Sequence, residues 1–179
     1  SDNLVRKYLQ ENNVKCEVIA WDDTPCQIHE FDMFVLRSSW NYYHSNEKYR
    51  NFMKFTQEIG SRLYNNEEVI KWNSNKSYLK DLERKHIPIV PTTILTSIEG
   101  INLKEFKDFK DMSDEFVIKP CVSGAGRNTF RIKSNTFNQR HFEGIKEELM
   151  KAGITEVVIQ PFIHSVAKIG EISLIFFED

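Results

Sequence analysis

Apolar positions along this chain switch between a helical period and a strand period, and the switches mark out its elements. Leu4, Val5, Tyr8 and Leu9 recur at helical spacing behind Asp2, a good N-cap, which predicts an amphipathic helix over residues 2–13. Residues 15–21 then alternate like a strand, residues 22–30 are turn-rich, and residues 31–36 read as a second apolar strand. Ser45 opens a helix whose buried face is Tyr49, Phe52, Met53 and Ile59, and Gly60 stops it. Leu63-Tyr64 and Val69-Ile70 are short apolar pieces around a polar stretch. Residues 72–82 predict another helix, capped by Ser74 or Asn75, with Tyr78, Leu79 and Leu82 inward and Lys76 in its first turn.

Further along, two prolines force extended geometry on residues 86–92. Asn102 with Glu105 resembles a capping box for a helix carrying Leu103, Phe106 and Phe109. Phe116-Val117-Ile118 is a buried strand that Pro120 ends, and Phe130-Arg131-Ile132 looks like its returning partner. Phe142, Ile145 and Leu149 mark a helix closed by Gly153, residues 156–160 form a strand stopped by Pro161, and a polar loop leads to Gly170. Residues 172–177 are apolar on both faces, as in a central strand. A helix between strands implies a parallel α/β sheet at the amino-terminal end, and such a sheet wants a strand before its first helix, so the expectation is a domain already under way at Ser1.

Composition narrows the class. The chain has 179 residues, 40% hydrophobic and 28% charged, with a net charge of −2, which fits a globular protein with no overall bias towards nucleic acid or membrane. No apolar run approaches the roughly 20 residues that span a bilayer, and no signal-peptide pattern opens the chain, so a cytoplasmic location is expected. Cys16, Cys26 and Cys121 are too few and too scattered for a disulfide framework or a zinc cluster.

The candidate chemistry gathers where the 116–118 strand breaks. Lys119 sits at a strand end, and Ser123, Gly124, Ala125 and Gly126 let the backbone approach a ligand, so that N–H groups converge on an anion. Arg127 and Thr129 add a fixed charge and a hydroxyl. An ordinary hairpin turn is the plainer alternative. The spacing matches neither a P-loop nor a G-x-G-x-x-G fingerprint. Lys76 at a helix start works against the dipole, a placement that makes sense if it serves an anion. Arg37, Trp40 and Tyr42 follow the second strand, where ligands sit in open α/β sheets, and are candidate substrate contacts.

Taken in order, Asn-Lys-helix, Ile-Pro-x-x-Pro-Thr, strand-Lys-Pro, the Ser-Gly loop, Gln-Pro-Phe-Ile and Gly-Glu-x-Ser, the chain from about residue 72 to 178 resembles the ATP-grasp superfamily near the glutathione-synthetase type. The resemblance implies an α/β (α+β) fold: a partial Rossmann-like domain over residues 1–71, its first strand missing, then an ATP-grasp module over 72–179. The module's small subdomain would cover about 94–163 and its large one would begin at 164, incomplete at the C-terminus. By resemblance, Lys76 and Lys119 contact phosphate and Ser123 to Thr129 forms the mobile loop over it; the family's acylphosphate-stabilising arginine lies beyond the last strand, and Arg127, the loop's own fixed charge, is the candidate catalytic residue here. Gln160, Pro161 and Ile163 make the adenine hinge, with Gln160 where the family more often has Glu, and Glu171 takes the ribose hydroxyls. The implied cofactors are ATP and Mg2+, the metal ligands lying beyond this chain. The implied reaction joins a small-molecule carboxylate to an amine or thiol through an acylphosphate. Self-association stays open, and the same residues also suit a module that holds ATP or another polyanion without turnover.

Overall fold

The computed structural model describes residues 2–22, 28–100, 113–170, 172 and 174. Helix α1, Asp2–Glu11, forms as the periodicity predicts, but its apolar side is open, with Leu4 and Tyr8 69% and 66% exposed. The expected cap is also different: the Asp2 carboxylate reaches away from the helix to accept from Arg37 Nε at 2.6 Å and Ser38 Oγ at 2.8 Å. Residues 15–20, predicted as a strand, carry no regular structure. Val18 and Ile19 lie exposed, since an alternating pattern makes a strand only where a neighbour supplies ladder bonds and a surface to bury against. Trp21, at the end of that stretch, is what packs: its ring meets Phe52 edge-on at 5.1 Å and its indole N–H donates to Asn41 Oδ1 at 2.6 Å.

The predicted 31–36 strand shortens to β1, Phe34–Val35, paired in parallel with β2, Leu63–Tyr64. Between them α2, Asn46–Ile59, starts where Ser45 Oγ accepts from Lys48 N and ends at Gly60, whose φ of 64° is left-handed. Phe34, Phe52, Ile59, Leu63 and Ile70 form the buried cluster of this part. The single helix expected over 72–82 is two. Asn66 Oδ1 caps α3, Glu67–Ser74, by accepting from Val69 N, and after a break at Asn75-Lys76-Ser77 the chain re-enters a helix as α4, Tyr78–Arg84.

The second sheet is antiparallel throughout, with strand order β3-β6-β4-β5. Its members are β3 (Thr93–Leu95), β4 (Glu115–Pro120), β5 (Phe130–Lys133) and β6 (Val157–Pro161). The register sets Phe116 opposite Ile132 on one side and opposite Pro161 on the other, and Lys119 opposite Val158. One face carries Phe116, Ile118, Ile132, Val157 and Ile159, covered by Phe142 and Leu149 of α5, Gln139–Lys151. Burying these side chains supplies about 1.5–3 kcal/mol each. Gly153, φ 70°, turns the chain out of α5 as predicted. The stretch read as a polar loop is a short helix, α6, His164–Ile169, ended by Gly170. The predicted 102–109 helix and 172–177 strand lie outside the described residues, apart from Ile172 and Leu174. Among the described residues no helix is long and apolar enough to cross a membrane.

Candidate functional site

Strand alternation decides where Lys119 goes. In β4, Phe116, Ile118 and Pro120 turn into the core, so Glu115, Val117 and Lys119 stand on the opposite, half-open face. Pro120 closes the strand, and the chain then enters the loop. Lys76 comes to the same place from the α3–α4 break, which is fastened at the sheet's end by two bonds and braced within itself by a third. Its own N–H donates to Cys121 O at 2.9 Å, Asn75 Nδ2 donates to Glu156 Oε2 at 3.3 Å, and Asn75 Oδ1 accepts from Ser77 N at 2.9 Å. Cys121 N in turn donates to Glu156 O at 3.0 Å, tying the ends of β4 and β6 together. The Lys76 ammonium then donates to Ser123 Oγ at 2.8 Å, Ser123 O at 2.9 Å and Cys121 O at 3.4 Å, one acceptor for each of its three protons.

Burial lowers the Lys76 pKa from 10.5 to about 8, with repulsion from Lys119 adding to it and Cys121 opposing it. Two cationic side chains are therefore held close at a strand end. The Cys121 thiol, buried and facing Glu156, is pushed up to about 12, which keeps it a packing group.

The loop beyond Ser123 is tightly wound. Ala125, Gly126 and Asn128 all have positive φ, at 51°, 70° and 52°, and the turns close by Arg127 N to Gly124 O and Thr129 N to Gly126 O. Among the described residues the N–H groups of Gly124, Ala125 and Gly126 are left without backbone acceptors. Gly124 is a different kind of glycine from Gly126: a Cβ there would lie 2.5 Å from Tyr43 Cε1, so the missing side chain makes room for a ring. Arg127 is exposed and, with Tyr43, His44, Tyr49 and Asn128, lines a cavity of about 270 Å³ between the start of α2 and the loop. Thr129 is exposed at the loop's exit.

At the expected hinge, Gln160 is buried and its Nε2 donates to Thr92 Oγ1 at 2.8 Å, while Thr92 donates to Val90 O at 2.6 Å. With one amide proton held by Thr92, the amide is oriented and its carbonyl oxygen is an acceptor that Gln160 can offer a ligand. Phe162 N donates to Glu115 O, and Ile163 O accepts from Val166 N at the start of α6; the Ile163 N–H makes no hydrogen bond among the described residues. Glu171 lies outside the described residues. Beyond the hinge Arg131 donates to Glu115 Oε2, and its guanidinium lies 3.6 Å from the centre of the Phe162 ring. That ion pair holds the Glu115 carboxyl below its usual range and lines a second cavity of about 660 Å³ with Asp114, Lys133 and His164.

The three candidate substrate contacts are not brought together. Arg37 is bound to Asp2, Trp40 is 70% exposed, and Tyr42 stacks on Phe52 at 4.9 Å as part of the α2 packing. Three residues given no ligand role in the sequence prove central to the geometry. Thr92 orients Gln160, Asn75 brackets Lys76, and Tyr43 meets Gly124. The Pro-Thr ending of the extended segment and the Asn beside Lys76 were visible signals for the first two. Among the described residues no three His, Cys, Asp or Glu side chains gather to hold a metal, so the roles derived below are those of side chains and backbone alone.

Comparison with known proteins bears on the family and the fold. Residues 80–177 match the model of the prokaryotic glutathione synthetase ATP-grasp domain, and residues 1–65 match that of the N-terminal domain of D-cycloserine synthetase DcsG. The chain is 27% identical over 171 residues to the cycloserine biosynthesis protein DcsG of Streptomyces lavendulae, covering 92% of this chain and 54% of that protein. The crystal structure of D-cycloserine synthetase DcsG superposes with a TM-score of 0.77 at 22% identity, over 93% of this chain and 55% of that one. The D-alanine–D-alanine ligase of Bacillus anthracis superposes with a TM-score of 0.58 at 18% identity, over 90% and 51%. This chain thus spans about half the length of these relatives. The expected mixed helix-and-sheet fold is the one found, and the chain belongs to the prokaryotic glutathione synthetase ATP-grasp family.

Proposed function

We propose that this chain is the nucleotide-binding part of an ATP-dependent ligase that activates a small carboxylate as an acylphosphate for attack by an amine or thiol. The observation that supports it best is that Lys76 and Lys119, from separate elements, are brought close together where Lys76 binds Ser123 of the turn-wound loop. Two buried-side cations pushed together cost free energy that an anion between them returns. In this reading Lys76 and Lys119 neutralise phosphate charge, and the N–H groups of Gly124, Ala125 and Gly126 close over the outer phosphates. Arg127 supplies charge where the phosphoryl group is transferred. The exocyclic amine of adenine donates to Gln160 Oε1 and the Pro161 carbonyl, a ring nitrogen accepts from Ile163 N, and Glu171 takes the ribose.

A carboxylate oxygen attacks the terminal phosphorus and ADP leaves; the nucleophile then attacks the acyl carbon and expels phosphate. Enclosure by the loop keeps water from that intermediate. The relatives' names, a D-cycloserine synthetase and a D-alanine–D-alanine ligase, point to a carboxylate derived from a small amino acid.

The test is nucleotide binding by melting and calorimetry. ATP at one hundred times its dissociation constant adds about 2.7 kcal/mol, and each kcal/mol raises the midpoint by roughly 2–4 °C in a chain of this size. GTP, whose O6 and N1–H invert the adenine pattern, should shift it less, and Lys119→Ala should abolish the shift while the apo protein melts like the parent. A folded chain that gains nothing from millimolar ATP refutes the reading.

A further inference from the structure

The Tyr43 ring belongs to a run of aromatic contacts that begins in the core of the first part of the chain. Phe52 of α2 stacks under Tyr42 at 4.9 Å, and Tyr42 meets Tyr43 edge-on at 5.6 Å. His44 also meets Tyr43 edge-on at 5.1 Å. The half-buried Tyr43 ring thus has little freedom, and its Cε1, Cζ and Cδ1 atoms lie against the Gly124 backbone. The adjacent residue, Ser123, is gripped from the opposite end of the contact by the Lys76 ammonium, whose three donors are all engaged. Gly124 has no positive φ, so nothing about its own backbone demands glycine, and the ring is the reason for it.

We propose that Tyr43 is a positioning residue that seats the Ser123–Gly124 segment on Lys76, a docked state that a phosphate group must displace to gain that lysine. This rests on the nucleotide-binding reading above. A phosphate oxygen and Ser123 compete for the same ammonium protons, so whatever stabilises the docked loop raises the apparent dissociation constant in proportion. Removing the ring therefore loosens the loop and tightens nucleotide binding, the opposite of what simple structural damage produces.

The experiment uses the 179-residue chain with Tyr43→Ala, Tyr43→Phe, Gly124→Ala and the Tyr43→Ala/Gly124→Ala double variant. Trypsin cleavage after Arg127 is followed by mass spectrometry without nucleotide, and ADP affinity is measured by calorimetry. Tyr43→Ala should speed that cleavage severalfold and lower the ADP dissociation constant at least threefold, while Tyr43→Phe, which keeps the ring, matches the parent on both counts. Gly124→Ala should speed cleavage in the parent and add nothing once the ring is gone. Unchanged cleavage in Tyr43→Ala, or additive effects in the double variant, overturns the seat. Faster cleavage with unchanged or weaker ADP binding overturns the competition. A parent that binds no ADP refutes the proposed function, and the cleavage series still decides whether Tyr43 seats the loop.

Discussion

Raising the pH from 7 to 9 should weaken ATP binding about tenfold, because Lys76 loses its charge within that window. A group with a pKa of about 8 is protonated in about 90% of molecules at pH 7 and about 10% at pH 9, and only the ammonium pairs with phosphate. Bound phosphate restores the charged form, so complex formation at pH 8 should take up roughly half a proton, readable by calorimetry in buffers of different ionisation enthalpy. The phosphate pKa near 6 lies below the window and does not blur it. Lys76→Arg, charged at every working pH, should flatten the profile. Stability of the apo protein should move the other way. The unfolded chain holds the lysine proton up to about 10.4 while the folded chain releases it near 8, so stability rises as pH climbs from about 8. Above 9 the trend reverses in part, since the Cys121 thiol, raised to about 12, is ionised first in the unfolded chain. Affinity that is flat from pH 7 to 9, or a Lys76→Arg variant with the parental slope, would show that this lysine does not meet the phosphate.

Asn75→Ala removes both the Glu156 and the Ser77 bonds and should cost about 1–3 kcal/mol in urea unfolding, with a severalfold loss of ATP affinity as Lys76 loses its bracket. Asn75→Asp should fare no better despite its shape, because it sets a carboxylate against Glu156. Phe142→Ala empties a site that is 1% exposed between α5 and the second sheet, and should cost about 3–5 kcal/mol without changing which nucleotide binds.

The two middle strands of the second sheet were legible because each ends on an unmistakable residue, whereas β3 was not read as a strand. Pro120 and Pro161 stop β4 and β6, Gly153 turns α5, and alternation alone puts Lys119 on the open face. Lys76 was legible as a lysine in an awkward place, though its setting is a break between two helices rather than the first turn of one. Propensity misled at residues 15–20, where the pattern is strand-like but the described structure supplies no neighbour. The stretch after Ile163 read as a loop because its apolar residues are few, yet Val166 N to Ile163 O and a left-handed Gly170 suffice for a short helix. Tyr43 could not be read from sequence at all. Its partner is a glycine far along the chain, and glycine at a phosphate-loop position already had an explanation.

The strand order of the second sheet has a consequence for the moment of synthesis. β3 bonds to β6, its neighbour in space, and to neither of the strands that leave the ribosome next. Thr93–Leu95 must therefore wait, unpaired, until Val157–Ile159 has been made. At about 5–20 residues per second that interval is roughly 3–12 s. During it the β4–β5 hairpin can form from local contacts, but Gln160 does not yet exist to meet Thr92. The Gln160–Thr92 pair, proposed as part of an adenine hinge, is thus finished late, when β6 slides between β3 and β4 and supplies that pair and the middle of the sheet in one step. A nascent chain halted before residue 157 should hold its hairpin and show no nucleotide-dependent protection.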